Sequence, residues 1–259
     1  PGLTRTGADF HEIATALSTH RSRPRLVLAM DYRGRGRSDY DPDPGNYDIR
    51  VELQDVQDVM TACGIRHAAF IGTSRGGIIS MGLSVIRPAC IRGVVLNDIG
   101  GIIDGKGLAR IKSYVGKLPP PADYTEAVAL LKRIASQHFT RLSDADWETF
   151  ARRSFKQTPK GLVQDYDPRL TKSLEVYDLE KPLPTLWQYF DGLRGVPVLS
   201  IRGENSDLFS AETQAEMTRR HPRCEPFVVV GEGHAPLMSD RLTTQKVISF
   251  IHRVEDGKI

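Results

Sequence analysis

Two periodicities alternate along the first hundred residues. Short apolar runs rich in β-branched or aromatic side chains, Arg25 to Met30, Ala68 to Ile71 and Gly93 to Leu96, read as buried strands. Between them the apolar positions recur at helical spacing. Phe10, Ile13, Ala14 and Leu17 predict a helix over Asp9 to Leu17. Val51, Val56, Val59 and Met60 predict a second, capped by Asp48 and ending before Gly64, and Arg75 to Ile86 predicts a third, stopped by Pro88. Asp41-Pro42-Asp43-Pro44-Gly45 is a turn cluster that interrupts regular structure. Strands alternating with helices imply parallel pairing through right-handed crossovers, an α/β fold with a mostly parallel central sheet flanked by helices.

The alternation stops near Gly101. From there to Trp187 the pattern predicts helical and loop segments, at Tyr124 to Ser136, Ser143 to Gln157 and Ser173 to Trp187, and no convincing strand. Strand signals then resume at Val196 to Arg202 and Pro226 to Val230. The chain therefore divides into a first part of an α/β core (1–100), a helical insertion (101–187) and a second part of the core (188–259). Tyr114, Trp147, Phe150, Trp187 and Tyr189 are the aromatic candidates to line a pocket beneath the insertion.

Candidate chemistry sits where the strands end. Gly72-Thr73-Ser74-Arg75-Gly76 is a G-x-S-x-G turn between a strand and a helix. Such a turn lifts a serine hydroxyl off the backbone and sets it over a helix N-terminus, where a developing anion is favoured. Small residues are needed at Gly72 and Gly76 because side chains there would collide across the turn. The strand at 196–202 ends in Gly203-Glu204-Asn205-Ser206-Asp207, and that at 226–230 ends in Gly231-Glu232-Gly233-His234. Ser74, Asp207 and His234 thus follow three strand ends. A histidine, with an ordinary pKa of about 6.5, can take the serine proton near neutrality. An acid holds its ring in the right tautomer. Asp207 is the expected acid. Asp98, behind Leu96-Asn97, and Glu204 are its rivals.

Taken together these turns resemble those of the α/β-hydrolase superfamily, over nearly the whole chain. Asp31-Tyr32-Arg33-Gly34-Arg35-Gly36-Arg37-Ser38-Asp39 is similar to the family's D-x-R-G-x-G-x-S-D loop, and the serine, acid and histidine turns follow in the family's order. The resemblance implies a serine hydrolase with a helical cap inserted after the family's sixth strand, and catalytic Ser74, Asp207 and His234. It implies that the backbone N–H groups of Leu3 and Arg75 form the oxyanion hole, with Pro1-Gly2-Leu3 standing for the family's H-G-x loop. About three strands precede that loop in the family, so residues upstream of Pro1 are expected. A sheet built from these 259 residues alone is expected to be gapped, or filled by another segment.

A serine at the turn, where related dehalogenases and epoxide hydrolases carry aspartate, favours acyl transfer to water. The expected reaction is hydrolysis of a small carboxylic ester or lactone through an acyl-enzyme on Ser74. Carbon–carbon bond hydrolysis of a diketone by the same residues, and a non-catalytic ligand-binding role for the fold, are the alternatives. Composition changes this picture little. With 35 Lys and Arg against 32 Asp and Glu, the net charge of +3 gives no argument for a nucleic-acid partner, and the arginines at 33–37 read as a structural loop. Three scattered cysteines form no disulfide framework and suggest a cytoplasmic setting. No run of 18 apolar residues supports a membrane span. Seven histidines lack metal-ligand spacing, and no cofactor is expected. The partner is a small-molecule acyl substrate.

Overall fold

The computed structural model describes residues 1–159 and 161–259. Ala68–Thr73 (β1), Ile91–Asn97 (β2), Val198–Gly203 (β5) and Cys224–Val229 (β6) form one sheet in the order β1-β2-β5-β6, parallel throughout. The inner strands β2 and β5 are buried on both faces, and Val94, Val95, Leu96, Val198 and Leu199 have no exposed surface. That explains why both read as unbroken apolar runs rather than alternating ones. Pro226, which cannot donate to a ladder, is tolerated because β6 is an edge strand.

Helices cover both faces. His11–Ser18 (α1) and Arg241–Glu255 (α10) close one side, where Ile13, Leu17, Val247 and Phe250 pack on Val95 and Leu199. Ile49–Ala62 (α2), Arg75–Ile86 (α3) and Ala211–Arg220 (α9) close the other, with Leu53, Ile79, Leu83 and Met217 inward. Asp48 caps α2 as expected, its carboxylate accepting the Arg50 N–H at 2.7 Å. No helix among the described residues is long and apolar enough to cross a membrane.

Two elements differ from the sequence reading. Arg25 to Met30 is not a strand. A strand exists only through its ladder, and this segment is separated from β1 by a cavity of about 420 Å³ lined by Val27, Met30, Phe70, Ile71, Ile79 and Leu83. Residues 25–30 therefore stand apart from the ladder of β1. The second difference lies in the insertion, which is not purely helical. Its helices Gly105–Tyr114 (α4), Tyr124–Ala135 (α5) and Asp144–Ser154 (α6) are followed by an antiparallel hairpin, Phe155–Thr158 (β3) with Gly161–Gln164 (β4). Within Ser143 to Gln157, read as helical or loop material, the helix ends at Ser154, because Phe155, Lys156 and Gln157 find partners in Gln164, Val163 and Leu162. Between the hairpin and β5 the chain forms short helical turns, among them Lys172–Glu175 (α7) and Trp187–Asp191 (α8).

The charged loop at 31–39 is built into the core. Gly36 has φ of +56°, and a Cβ there would lie 2.4 Å from the Asp31 carboxylate, which accepts the Gly7 N–H at 2.6 Å. Arg33 pairs with Asp41 and Asp55. Arg35 is wholly buried. It donates to Glu52 at 2.5 Å and to the Leu3 carbonyl at 2.7 Å. The other Glu52 oxygen accepts from Arg75 at 2.5 Å.

Two buried carboxyls carry measurable consequences. Glu52→Gln leaves two buried guanidiniums without their shared counter-charge, and is expected to lower unfolding stability by about 3–5 kcal/mol in urea titration. A loss below about 1 kcal/mol would contradict the role given to this cluster. Glu232 is the second, only 6% exposed. Burial raises its pKa, the Leu237 N–H opposes this, and Asp240 and Asp146 add to it, leaving the group at about 7 instead of 4.5. The folded state thus holds the proton more tightly. Its stabilising effect is complete below pH 4.5 and is lost as pH rises through about 7, a change of about 3 kcal/mol. Urea midpoints of the native protein are expected to fall between pH 5 and 8, and those of Glu232→Gln to fall much less. Equal slopes would contradict the assignment.

Candidate active site

The first site element is the turn after β1. Ser74 has φ of +51°, and its N–H donates to the Asn97 carbonyl of β2 at 2.9 Å. A non-glycine residue in this conformation costs on the order of 1–3 kcal/mol, which the surrounding packing must offset. A Cβ at Gly72 would lie 2.4 Å from the Gly76 carbonyl oxygen, so glycine is required where the chain folds back into α3. Arg75 is the first residue of α3, so its N–H has no acceptor within the helix. Among the described residues, neither it nor the Leu3 N–H donates to a carbonyl outside the regular elements.

The second element is the turn after β6. It brings His234 to Ser74, with Nε2 and Oγ 3.0 Å apart. The Asn97 amide pins this turn to the serine turn, donating to the Pro236 carbonyl at 2.8 Å and to Thr73 Oγ1 at 3.1 Å. His234 Nδ1 lies 2.7 Å from Asp98 Oδ2. A carboxylate only accepts, so Nδ1 carries the proton and Nε2 is left to accept from the serine hydroxyl.

The expectation that Asp207 orients the histidine does not hold. Asp207 faces α4, where it accepts from Arg110 Nε at 2.6 Å and Nη2 at 2.9 Å, and its backbone carbonyl accepts the Gly107 N–H. Burial pushes the Asp207 carboxyl up, but Arg110 more than offsets this and holds it below the usual carboxylate range. Asp98, the rival from the end of β2, occupies the position instead. It is fully buried with φ of +58°. Its Oδ1 accepts the Gly203 N–H at 2.7 Å, and its Oδ2 accepts the Ser206 hydroxyl at 2.6 Å. The turn after β5 therefore serves the site through Ser206 and Gly203 rather than through Asp207. Glu204, the other rival, accepts the Gly231 N–H.

A cavity of about 120 Å³ opens on Ser74 and His234, with Leu3, Arg5, Tyr114 and Phe150 in its wall. A neighbouring cavity of about 90 Å³ shares His234, Tyr114 and Phe150 and extends under the insertion. Of the aromatic candidates, Tyr114 and Phe150 line this space. Trp147 is core, stacked on Phe150 and edge-on to Phe139. Trp187 and Tyr189 pack on the core cluster away from the serine. Tyr114 and Phe150 were identifiable only as aromatics, and Arg110 carried no signal in the sequence.

Comparison with known proteins agrees with this architecture. The sequence profile of the alpha/beta hydrolase family matches residues 1–244. The chain is 32% identical over 246 residues to a 3-hydroxybutyrate-oligomer hydrolase of Cupriavidus necator, covering 92% of this chain and 82% of that one. It is 25% identical to 3-oxoadipate enol-lactonase 1 of Acinetobacter baylyi, over 80% of this chain and 71% of that one. The crystal structure of an alpha/beta hydrolase from Novosphingobium aromaticivorans superposes with a TM-score of 0.89 at 33% identity, covering 98% of this chain and 87% of that one. With its fold, its strand-end turns and these relatives in agreement, the chain belongs to the α/β-hydrolase family and is a hydrolase.

Proposed function

We propose that this hydrolase cleaves small carboxylic esters or lactones through an acyl-enzyme on Ser74. The observation that carries the reading is the unbroken line from Ser74 Oγ to His234 Nε2 at 3.0 Å, and from Nδ1 to the buried Asp98 at 2.7 Å, opening on a cavity. His234 takes the Ser74 proton as Oγ attacks the carbonyl, then delivers it to the departing alkoxide. Water, deprotonated by the same nitrogen, releases the acid. Asp98 holds the ring and stabilises the imidazolium. The Gly203 N–H and the Ser206 hydroxyl hold its two oxygens in place. The Leu3 and Arg75 N–H groups are the donors assigned to the oxyanion, at the helix end where negative charge is favoured. The buried Arg35–Glu52–Arg75 cluster supports this assignment, since it holds the Leu3 carbonyl and the α3 N-terminus together.

Residues 101–187 act as the cap. Tyr114 of α4 and Phe150 of α6 roof the serine cavity, which excludes bulk water from the acyl-enzyme. The small volume favours substrates of a few carbons on each side of the scissile bond. The names of the oligomer hydrolase and the enol-lactonase are consistent with ester and lactone chemistry.

Kinetics on a panel of short esters and lactones test the assignment. Ser74→Ala is expected to lose turnover while remaining folded. Asp98→Asn is expected to lower kcat by about 10⁴-fold, because the amide favours the wrong tautomer. Asp207→Asn is expected to cost far less. An Asp207→Asn enzyme as impaired as Asp98→Asn would return the acid role to Asp207.

A further inference from the structure

The cavity under the insertion has Leu118, Leu131, Phe139 and Phe155 in its wall, and two arginines reach it, Arg5 from the N-terminal loop and Arg110 from α4. Each nitrogen of Arg5 has a partner. Nε and Nη2 donate to Asp9, Nη1 donates to Ser154, and the guanidinium lies 4.6 Å from the Phe150 ring. Arg110 donates to Asp207 through Nε and Nη2, and it also makes a side-chain hydrogen bond with Tyr114. Its other neighbour is Tyr114, whose ring centre is 5.9 Å from the guanidinium carbon. Burial raises the pKa of the Tyr114 phenol, and its oxygen accepts from Arg110 while the hydroxyl keeps its own proton to donate. Both side chains line the cavity that also contains His234.

A tether between α4 and the turn after β5 does not need a guanidinium in this cavity. The Gly107 N–H to the Asp207 carbonyl and the Asp104 N–H to the Leu208 carbonyl already join the same segments, at 3.0 and 2.9 Å. A guanidinium clamped along one edge by a carboxylate, in an apolar wall, is a preorganised donor for a second anion. Desolvation there strengthens the attraction relative to water.

We propose that Arg110, with Tyr114 beside it, receives a carboxylate carried by the substrate, so that the preferred substrates are short esters bearing a negative charge at the end lying under the insertion. This inference rests on the ester-hydrolase reading above. It concerns specificity, and Arg110 acts on the bound end of the substrate rather than on the reacting atoms.

The test compares monoethyl succinate and monoethyl glutarate with their neutral diethyl esters. The readout is the ratio of kcat/KM for half-ester over diester, in the native protein and in Arg110→Gln, Arg110→Lys and Asp207→Asn. Intrinsic carbonyl reactivity cancels when the ratio is compared between proteins. Loss of one charge-assisted contact is expected to lower the ratio about tenfold to hundredfold in Arg110→Gln, with partial recovery in Arg110→Lys. Asp207→Asn breaks the same ion pair but keeps the guanidinium, so the preference for half-esters is expected to persist. A native ratio no greater than that of Arg110→Gln would overturn the proposal while leaving ester hydrolysis standing. Loss of the preference in Asp207→Asn as complete as in Arg110→Gln would reduce Arg110 to a tether. Absence of turnover on both ester classes would overturn the ester-hydrolase reading along with it.

Discussion

The position of one buried carboxylate organises the site. Asp98 leaves β2 in a left-handed backbone conformation and is held there by the Gly203 N–H, the Ser206 hydroxyl and His234. Those partners come from the turns after β5 and β6, so three strand ends converge on one group. Asn97, its neighbour, adds the serine turn by accepting the Ser74 N–H and donating to Thr73 and Pro236. Parallel pairing makes this convergence available, because all four strands of the main sheet end on the same edge. A fully buried carboxylate is costly unless hydrogen-bonded. Its donors therefore both stabilise the charge and fix where the imidazole sits.

A second buried charge cluster does comparable work beneath the serine. Glu52 of α2 lies between Arg35 and Arg75, and Arg35 continues to the Leu3 carbonyl. The two N–H groups assigned to the oxyanion are thus joined through side chains, although they belong to segments far apart in sequence. The insertion is fastened to the same frame. Tyr47 donates to Asp167, Arg153 pairs with Glu12, and the Thr140 N–H donates to Gly231. The roof over the cavity is therefore attached at several independent points.

Much of this was readable from residue order, and the exceptions share a physical cause. The serine turn was recognisable because its geometry excludes side chains at Gly72 and because a strand and a helix must flank it. His234 was recognisable by its place in a glycine turn at a strand end. The acid was not decidable, since Asp98 and Asp207 both follow strand ends, and only the tertiary position of Arg110 shows that Asp207 is already taken. Residues 25–30 have a strand's composition but lack the neighbour that would make them one. The β3–β4 hairpin escaped because four-residue strands beside a helix give too short a pattern to separate from the helix itself. Local constraints left marks in the sequence, whereas pairings between distant segments did not.

The central claim is that Ser74 is activated by His234 under the control of Asp98. Mass spectrometry of the protein after exposure to a fluorophosphonate reads this directly, as the rate and position of phosphonylation at neutral pH. A single adduct on Ser74, formed much more slowly in Asp98→Asn than in Asp207→Asn, is the result the account predicts. No adduct on Ser74, or labelling that slows only when Asp207 is changed, would contradict it.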